Sequence, residues 1–215
     1  FDINQINKVY SNAGKHNASV YVAYNRRFYA SVQKAINLIN EDGGVNSFHF
    51  EFTEFSHQIE KEHKHPLNVK RKWFLGNSTH VIDLAFFLGG VPKEISSYTS
   101  GSLEWHPSSS IFSGSGITEN GILFSYHANW EAPGRWGVEM LTKTKRFIFQ
   151  PLEKLMVQHR DSFERMIVNI DDSVDIRFKP GFYKMVDTFL SSDTRGLCTI
   201  DEQYEKFKLY YKIAN

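Results

Sequence analysis

A histidine and an aspartate three residues apart, His80 and Asp83, stand at the start of an almost continuously apolar run, Val81-Ile82-Asp83-Leu84-Ala85-Phe86-Phe87-Leu88. On a helix, such positions share a face. The helix dipole lowers the pKa of a His at the N-terminus, while a neighbouring Asp raises it and fixes the tautomer. A general base that works near neutrality needs this balance. The same spacing serves a purely structural His–Asp hydrogen bond equally well. Arg26 and Arg27 leave the C-terminal end of a β-rich run, the place where open α/β sheets bind ligands. One of the two suits a cofactor or substrate contact, and the other suits packing or solvent. Arg135, between Gly134 and Trp136, can fork onto a carboxylate or phosphate beside an aromatic wall, or pair with an acid on a sheet surface. Lys179 precedes Pro180 and a helix beginning near Gly181, so it can reach an anionic substrate, and Tyr183 adds a hydroxyl in the first turn. Capping and packing account for both residues equally well.

Other reactive residue types carry less. His57, His63 and His65, with Glu60 and Glu62, lie in a stretch too polar to build a closed metal site, so no metal is expected. Cys198 is the only cysteine; flanked by Leu197 and Thr199, it reads as a small buried apolar residue rather than a nucleophile. No Ser-His-Asp or Gly-x-Ser-x-Gly arrangement supports hydrolase chemistry.

The elements that must position these groups are legible from periodicity. Ile3, Ile6, Val9 and Tyr10 predict a short helix ending at Gly14, and residues 18–24 predict a buried strand of a parallel sheet. Apolar residues at 32, 35, 36 and 39 mark an amphipathic helix ended by Gly43-Gly44. Phe48, Phe50 and Phe52 alternate with His49, Glu51 and Thr53, as in a strand with one wet face. Residues 56–70 read as a surface loop able to close over a site, and the apolar helix that carries His80 must be buried between layers. From Glu94 to Phe178 short β-rich runs (94–105, 109–113, 121–130, 135–142, 145–149, 153–159, 164–169, 174–178) alternate with turn signals, which predicts a meander. Gly114-Ser115-Gly116 falls between two of these runs and reads as a hairpin turn. Helical periodicity returns over 182–191 and 201–213.

The 215 residues include 25 basic and 24 acidic side chains, a net charge of +1, and 41% hydrophobic residues. These values exclude a disordered or fibrous chain and leave no global field to draw nucleic acid. No run approaches the ~18 apolar residues of a membrane span, and the N-terminal stretch has no basic segment followed by an apolar one. A soluble, untargeted protein of a reducing compartment, the cytoplasm, is expected.

Four blocks together resemble the glucose-fructose oxidoreductase/inositol dehydrogenase (Gfo/Idh/MocA) superfamily. They are Val22-Ala23-Tyr24-Asn25-Arg26-Arg27-Phe28, Ser78-Thr79-His80-Val81-Ile82-Asp83-Leu84, Asn129-Trp130-Glu131-Ala132-Pro133-Gly134-Arg135-Trp136, and Lys179-Pro180-Gly181-Phe182-Tyr183. Their order and spacing match over nearly the whole chain. The resemblance implies an α+β fold, a large open mixed or antiparallel sheet packed by helices, preceded by the last helix and strand of a Rossmann domain. Residues 1–25 would be that remnant, and 26–215 a C-terminal domain for substrate binding and oligomerisation. It implies an NAD- or NADP-dependent oxidoreductase acting on a hydroxyl of a sugar, nucleotide-sugar or cyclitol, as a homo-oligomer formed through the open sheet. Its aromatic-rich strands should leave one face too apolar for a monomer.

By the same resemblance His80 is the candidate base with Asp83 as its partner. Asn77, Arg135, Trp136, Lys179 and Tyr183 would contact substrate, and Asn25, Arg26 and Arg27 the cofactor. The chain departs from the family pattern at the Asp that many members carry four residues before the histidine, where it has Gly76. Asn77 or Asp83 would then share the orienting role. The Glu-Lys-Pro block with the family's catalytic lysine is absent, as is any strand, glycine-rich turn and helix able to cradle a pyrophosphate. The chain is therefore expected to be the substrate-domain part of a larger enzyme, not competent alone. The alternative is a non-catalytic interaction module derived from this family.

Overall fold

A computed structural model of the protein describes residues 3–191 and 193–214. Helix α1 (Ile3–His16) leads to a short strand β1 (Tyr21–Val22), a single 3-10 turn (Asn25–Phe28) and helix α2 (Ala30–Glu41). Strand β2 (Ser47–Glu51) follows, then two short helices, α3 (Ser56–Lys61) and α4 (Leu67–Lys70), a π-helical turn (Phe74–Ser78), and α5 (Thr79–Gly89). The meander comprises β3 (Pro92–Ser100), β4 (Ile111–Thr118), β5 (Leu123–Asn129), β6 (Gly137–Leu141), β7 (Lys145–Phe149), β8 (Met156–His159) and β9 (Arg165–Ile167). Helices α6 (Ser173–Arg177) and α7 (Phe182–Leu190), strand β10 (Cys198–Thr199) and helix α8 (Ile200–Ala214) complete the described chain.

Eight strands form one mixed sheet in the order β3-β4-β5-β2-β6-β7-β8-β9. Only the central β2–β5 pair is parallel, with Phe48 opposite Phe124 and Phe50 opposite Tyr126; every other ladder is antiparallel. This is the expected α+β architecture. Its core lies on the helix side of the sheet, where the period-2 alternation of β2 turns Phe48, Phe50 and Phe52 inward. There Phe86 of α5 meets the rings of Phe48, Phe50 and Phe124 edge-on, at centroid separations of 5.8, 5.6 and 5.0 Å, a geometry favoured by the aromatic quadrupole.

The structure corrects several sequence expectations. Strands β3 to β5 turn Ser96, Ser113, Ser115, Ser125 and His127 to the open face, with Tyr98 and Leu123 exposed beside them, while Phe112, Phe124 and Tyr126 take the helix-side positions. Residues 18–24 supply only the two-residue β1, which pairs antiparallel with β10 outside the large sheet. Helix α1 runs through Gly14 and ends where Asn17 takes a positive φ of 47°, as short polar side chains can. Gly114 and Gly116 lie within β4 rather than at a turn, because the neighbouring strand passes so close that a Cβ on Gly116 would strike the Glu94 carbonyl. The polar stretch 56–70 contains α3 and α4, docked by Ile59 and by Lys70, whose ammonium caps the Glu60 carbonyl at 3.0 Å. Residues 174–177 lie in α6, not in a strand, and Phe178 caps its end, although β-branched residues suggested a strand.

The first turn after β1 is fixed by charge. Arg27 is 2% exposed and grips Asp83, itself 1% exposed, with two parallel hydrogen bonds of 2.8 and 2.7 Å. Lys206 of α8 reaches Asp83 at 2.6 Å and Glu202 at 2.6 Å, and Arg27 also meets Glu202 at 2.5 Å and the Gly196 carbonyl at 3.2 Å. Burial opposes the charge on Arg27, but its carboxylate partners raise its pKa on balance. Removing one member of such a set strands the others. Asp83→Ala should therefore destabilise the fold by about 3–5 kcal/mol, read as a lower urea midpoint. Lys206→Met, which leaves the bidentate pair intact, should cost clearly less.

Candidate active site

The 3-10 turn that sends Arg27 into the interior sends its neighbour the other way. The Arg26 guanidinium lies 5.0 Å from the centre of the Trp136 ring, and Arg135 lies 5.0 Å from the same ring and 5.0 Å from Phe55. Trp136 is 7% exposed, and its indole Nε1 is buried with no hydrogen-bond partner; Arg26 Nε is likewise buried and unpartnered. Burial lowers the Arg26 pKa, and Arg135 adds to that effect.

His80 occupies the first turn of α5, with the Tyr24 ring edge-on at 5.1 Å and 90°. Its Nδ1 is buried and unpartnered. Burial, then the charges of Arg26 and Lys179, push the His80 pKa down to about 3. At neutral pH the imidazole is uncharged and stands in a cationic surrounding. Lys179 is exposed and is delivered to this place by a pinned loop. Asn25 donates from Nδ2 to the Pro180 carbonyl at 2.8 Å, and Asp175 accepts from the backbone N–H groups of Ala30 and Gly181 at 2.8 and 2.9 Å. Gly181 has φ of +68° and packs so tightly on the Asn25 carbonyl and the Tyr29 ring that no Cβ fits.

The expected His80–Asp83 partnership is not formed. Asp83 is consumed by Arg27 and Lys206, so it is a structural anion, and Arg27 is a structural cation rather than a cofactor contact. Asn25 is satisfied internally, by Pro180 and by accepting from Arg26 at 3.0 Å. Tyr183 stacks on Phe178 at 5.0 Å and lines a separate hollow of about 340 Å³ with Phe182 and Leu190. Arg26, Arg135, Trp136 and Lys179 form one neighbourhood with His80.

Asn77 serves a residue the sequence reading overlooked. Glu54, 4% exposed, accepts from Ser78 Oγ at 2.6 Å and from Asn77 Nδ2 at 3.1 and 3.2 Å. Burial raises its pKa, opposed by these donors and by Arg135. The signal was present: Glu54 is the next inward position after Phe48, Phe50 and Phe52, and a carboxylate continuing an apolar face is an anomaly that asks for a partner. Among the described residues the metal-type donors that gather are Asp83, Cys198 and Glu202, within 4.8 Å, and Arg27 and Lys206 already neutralise them. Among the described residues no glycine-rich turn joins a strand to a helix in the manner of a pyrophosphate cradle. None of the described helices is long and apolar enough to cross a membrane.

No known family profile and no curated protein matches this sequence. Solved structures do match. An inositol dehydrogenase homolog from Azotobacter vinelandii, complexed with NADH and myo-inositol, is 13% identical with a TM-score of 0.72, over 100% of this chain and 66% of that one. The fold is that of the Gfo/Idh/MocA-type oxidoreductases. Within that fold the chain matches the C-terminal domain. A levoglucosan dehydrogenase complexed with NADH and levoglucosan is 18% identical, with a TM-score of 0.71, over 98% of this chain and 67% of the other. A super-repressor mutant of Gal80p from Saccharomyces cerevisiae is 12% identical, with a TM-score of 0.70, over 99% and 66%. The chain thus spans about two thirds of the length of the structures it matches.

The buried carboxyl of Glu54 yields a test with a defined sign. A carboxyl whose folded pKa is raised stabilises the fold fully below its unfolded value, about 4.3, and loses that contribution as pH rises through the folded value. Glu54→Gln keeps an acceptor for Ser78 and removes the charge. At pH 7 this variant should have a higher urea midpoint than the parent protein. The difference should shrink as pH falls toward 4.

Proposed function

We propose that this chain is the substrate-handling part of an NAD(P)-dependent oxidoreductase acting on a hydroxyl of a sugar, nucleotide-sugar or cyclitol. In this reading His80 accepts the hydroxyl proton. Residues 1–25 are the tail of a dinucleotide-binding domain and residues 26–215 the substrate domain. In support, β1 lies outside the large sheet and pairs only with β10.

The observation that carries the reading is His80 itself: neutral, with Nδ1 buried and unpartnered, beside cations that have no ion-pair partner among the described residues. A structural histidine would satisfy that nitrogen. A base needs it free, and the positive charges of Arg26 and Lys179 stabilise an alkoxide as the proton leaves the substrate oxygen. An imidazole with so low a pKa is a weak base, so in this arrangement the cations lower the substrate hydroxyl's pKa to meet it. Two of the matched structures hold NADH together with myo-inositol or levoglucosan, which agrees with the substrate class. In this reading a dinucleotide-binding domain ahead of these residues holds most of the cofactor.

The alternative, a non-catalytic interaction module, has lost one argument against it, since Asp83 is explained by folding alone. It leaves the unpartnered His80 without a reason. In a protein that carries a dinucleotide-binding domain ahead of this chain, His80→Ala should lower kcat by about 10²–10⁴ with cofactor affinity nearly unchanged. Undiminished turnover would remove His80 from the role of base.

A further inference from the structure

The charges around His80 are unbalanced. Arg26, Arg135 and Lys179 make no ion pair among the described residues, although the buried Arg27 a single position away is matched by two carboxylates. The acids near Arg26 and Arg135 make no ion pair with their guanidiniums. Glu54 is turned to Ser78 and Asn77, and Glu51 accepts from the Arg135 backbone N–H at 3.3 Å rather than from its side chain. Glu153 is exposed and hydrogen-bonds neither arginine. Placing two guanidiniums about one indole costs mutual repulsion as well as desolvation, and a fold retains that arrangement where an anion relieves it.

From this we infer that Arg26 and Arg135, held on Trp136, form an oxyanion subsite for a carboxylate or phosphate carried by the substrate. The buried Arg26 Nε–H and Trp136 Nε1–H are donors without acceptors, and a planar guanidinium matches the two oxygens of a carboxylate or phosphate. The Trp136 ring and Phe55 supply a flat apolar surface beside it. Lys179 lies within electrostatic reach of His80. The substrate class narrows to acidic carbohydrates, sugar acids or phosphorylated sugars, over neutral ones. This inference rests on the proposed function for the sugar and on the geometry alone for the anion.

The test uses the 215-residue protein labelled with ¹⁵N, following the Trp136 indole cross-peak, assigned with Trp136→Phe, during titration with glucuronate, glucose 6-phosphate, glucose and acetate. Saturable shifts with glucuronate or glucose 6-phosphate, at a Kd at least about 10-fold below that of glucose, are expected. Whichever of the two binds more tightly identifies the anion as carboxylate or phosphate. Arg135→Gln, at an exposed position that folding does not need, should weaken the acidic sugars about 10-fold or more and leave glucose unchanged; Arg26→Gln should do the same. If glucose binds as well as the acidic sugars, the anion subsite is overturned while the carbohydrate reading stands. If acetate binds as tightly as glucuronate, the subsite stands and the carbohydrate reading falls. If no ligand moves the peak, both are overturned.

Discussion

The buried bidentate pair of Arg27 and Asp83 is the constraint on which the site depends. It joins the turn after β1 to α5, and through Lys206 and Glu202 it joins both to α8. Arg27 and Arg26 are consecutive, and Asp83 and His80 lie one helical turn apart. Fixing the inner pair therefore fixes the outer pair. With Arg27 and Asp83 locked inside, Arg26 has no room but the Trp136 ring, and His80 heads α5 beside it with Tyr24 at its edge. A charge pair of this kind adds little net stability over apolar residues of equal volume, but it penalises every other placement of its members. Its value here is register.

On that frame the polar groups sort by whether they are satisfied. The interior ones have partners: Asp83, Arg27, Asn25 and Glu54 all make hydrogen bonds within the chain. Around His80 the sorting reverses, and Arg26 Nε, His80 Nδ1 and Trp136 Nε1 are left buried without partners. Native proteins leave few such atoms. Others lie elsewhere, Trp105 Nε1 and Gln203 Oε1 among them, but only the three around His80 stand next to cations without an ion pair among the described residues, a combination that marks a candidate binding site. Glu54, on the segment that continues β2, is held by Asn77 and Ser78 of the π-helical turn.

Much of this was legible in the sequence where a single periodicity controls the outcome. The alternation in β2 and the apolar stripe of α2 are local, and both elements are found where their patterns put them. The apolar run of α5 correctly required burial on all sides. Site residues were legible only as types. His80 and Asp83 have the spacing of a partnership, but a helix face shows which residues are near one another, not which distant arginine arrives first. Arg27 is 56 positions away and Lys206 is 123, so no local pattern could announce them. Glu54 was hidden for the opposite reason: its pattern was local, yet a carboxylate at an inward strand position looks like the end of the strand. The make-up of the open face was not legible because composition counts aromatic residues without saying that Phe112, Phe124 and Tyr126 turn to the helices and Tyr98 turns away from them.

The central claim is that Asp83 belongs to the frame and leaves His80 an uncharged base among cations. An NMR titration of the His80 ring in the ¹⁵N-labelled protein reads this directly. The account predicts an imidazole that remains neutral through the whole range from pH 8 to about 4, with its midpoint near 3, where burial and the charges of Arg26 and Lys179 hold it. A midpoint at or above the ordinary histidine value of about 6.5 would mean that a carboxylate partners the ring after all, and would contradict the account.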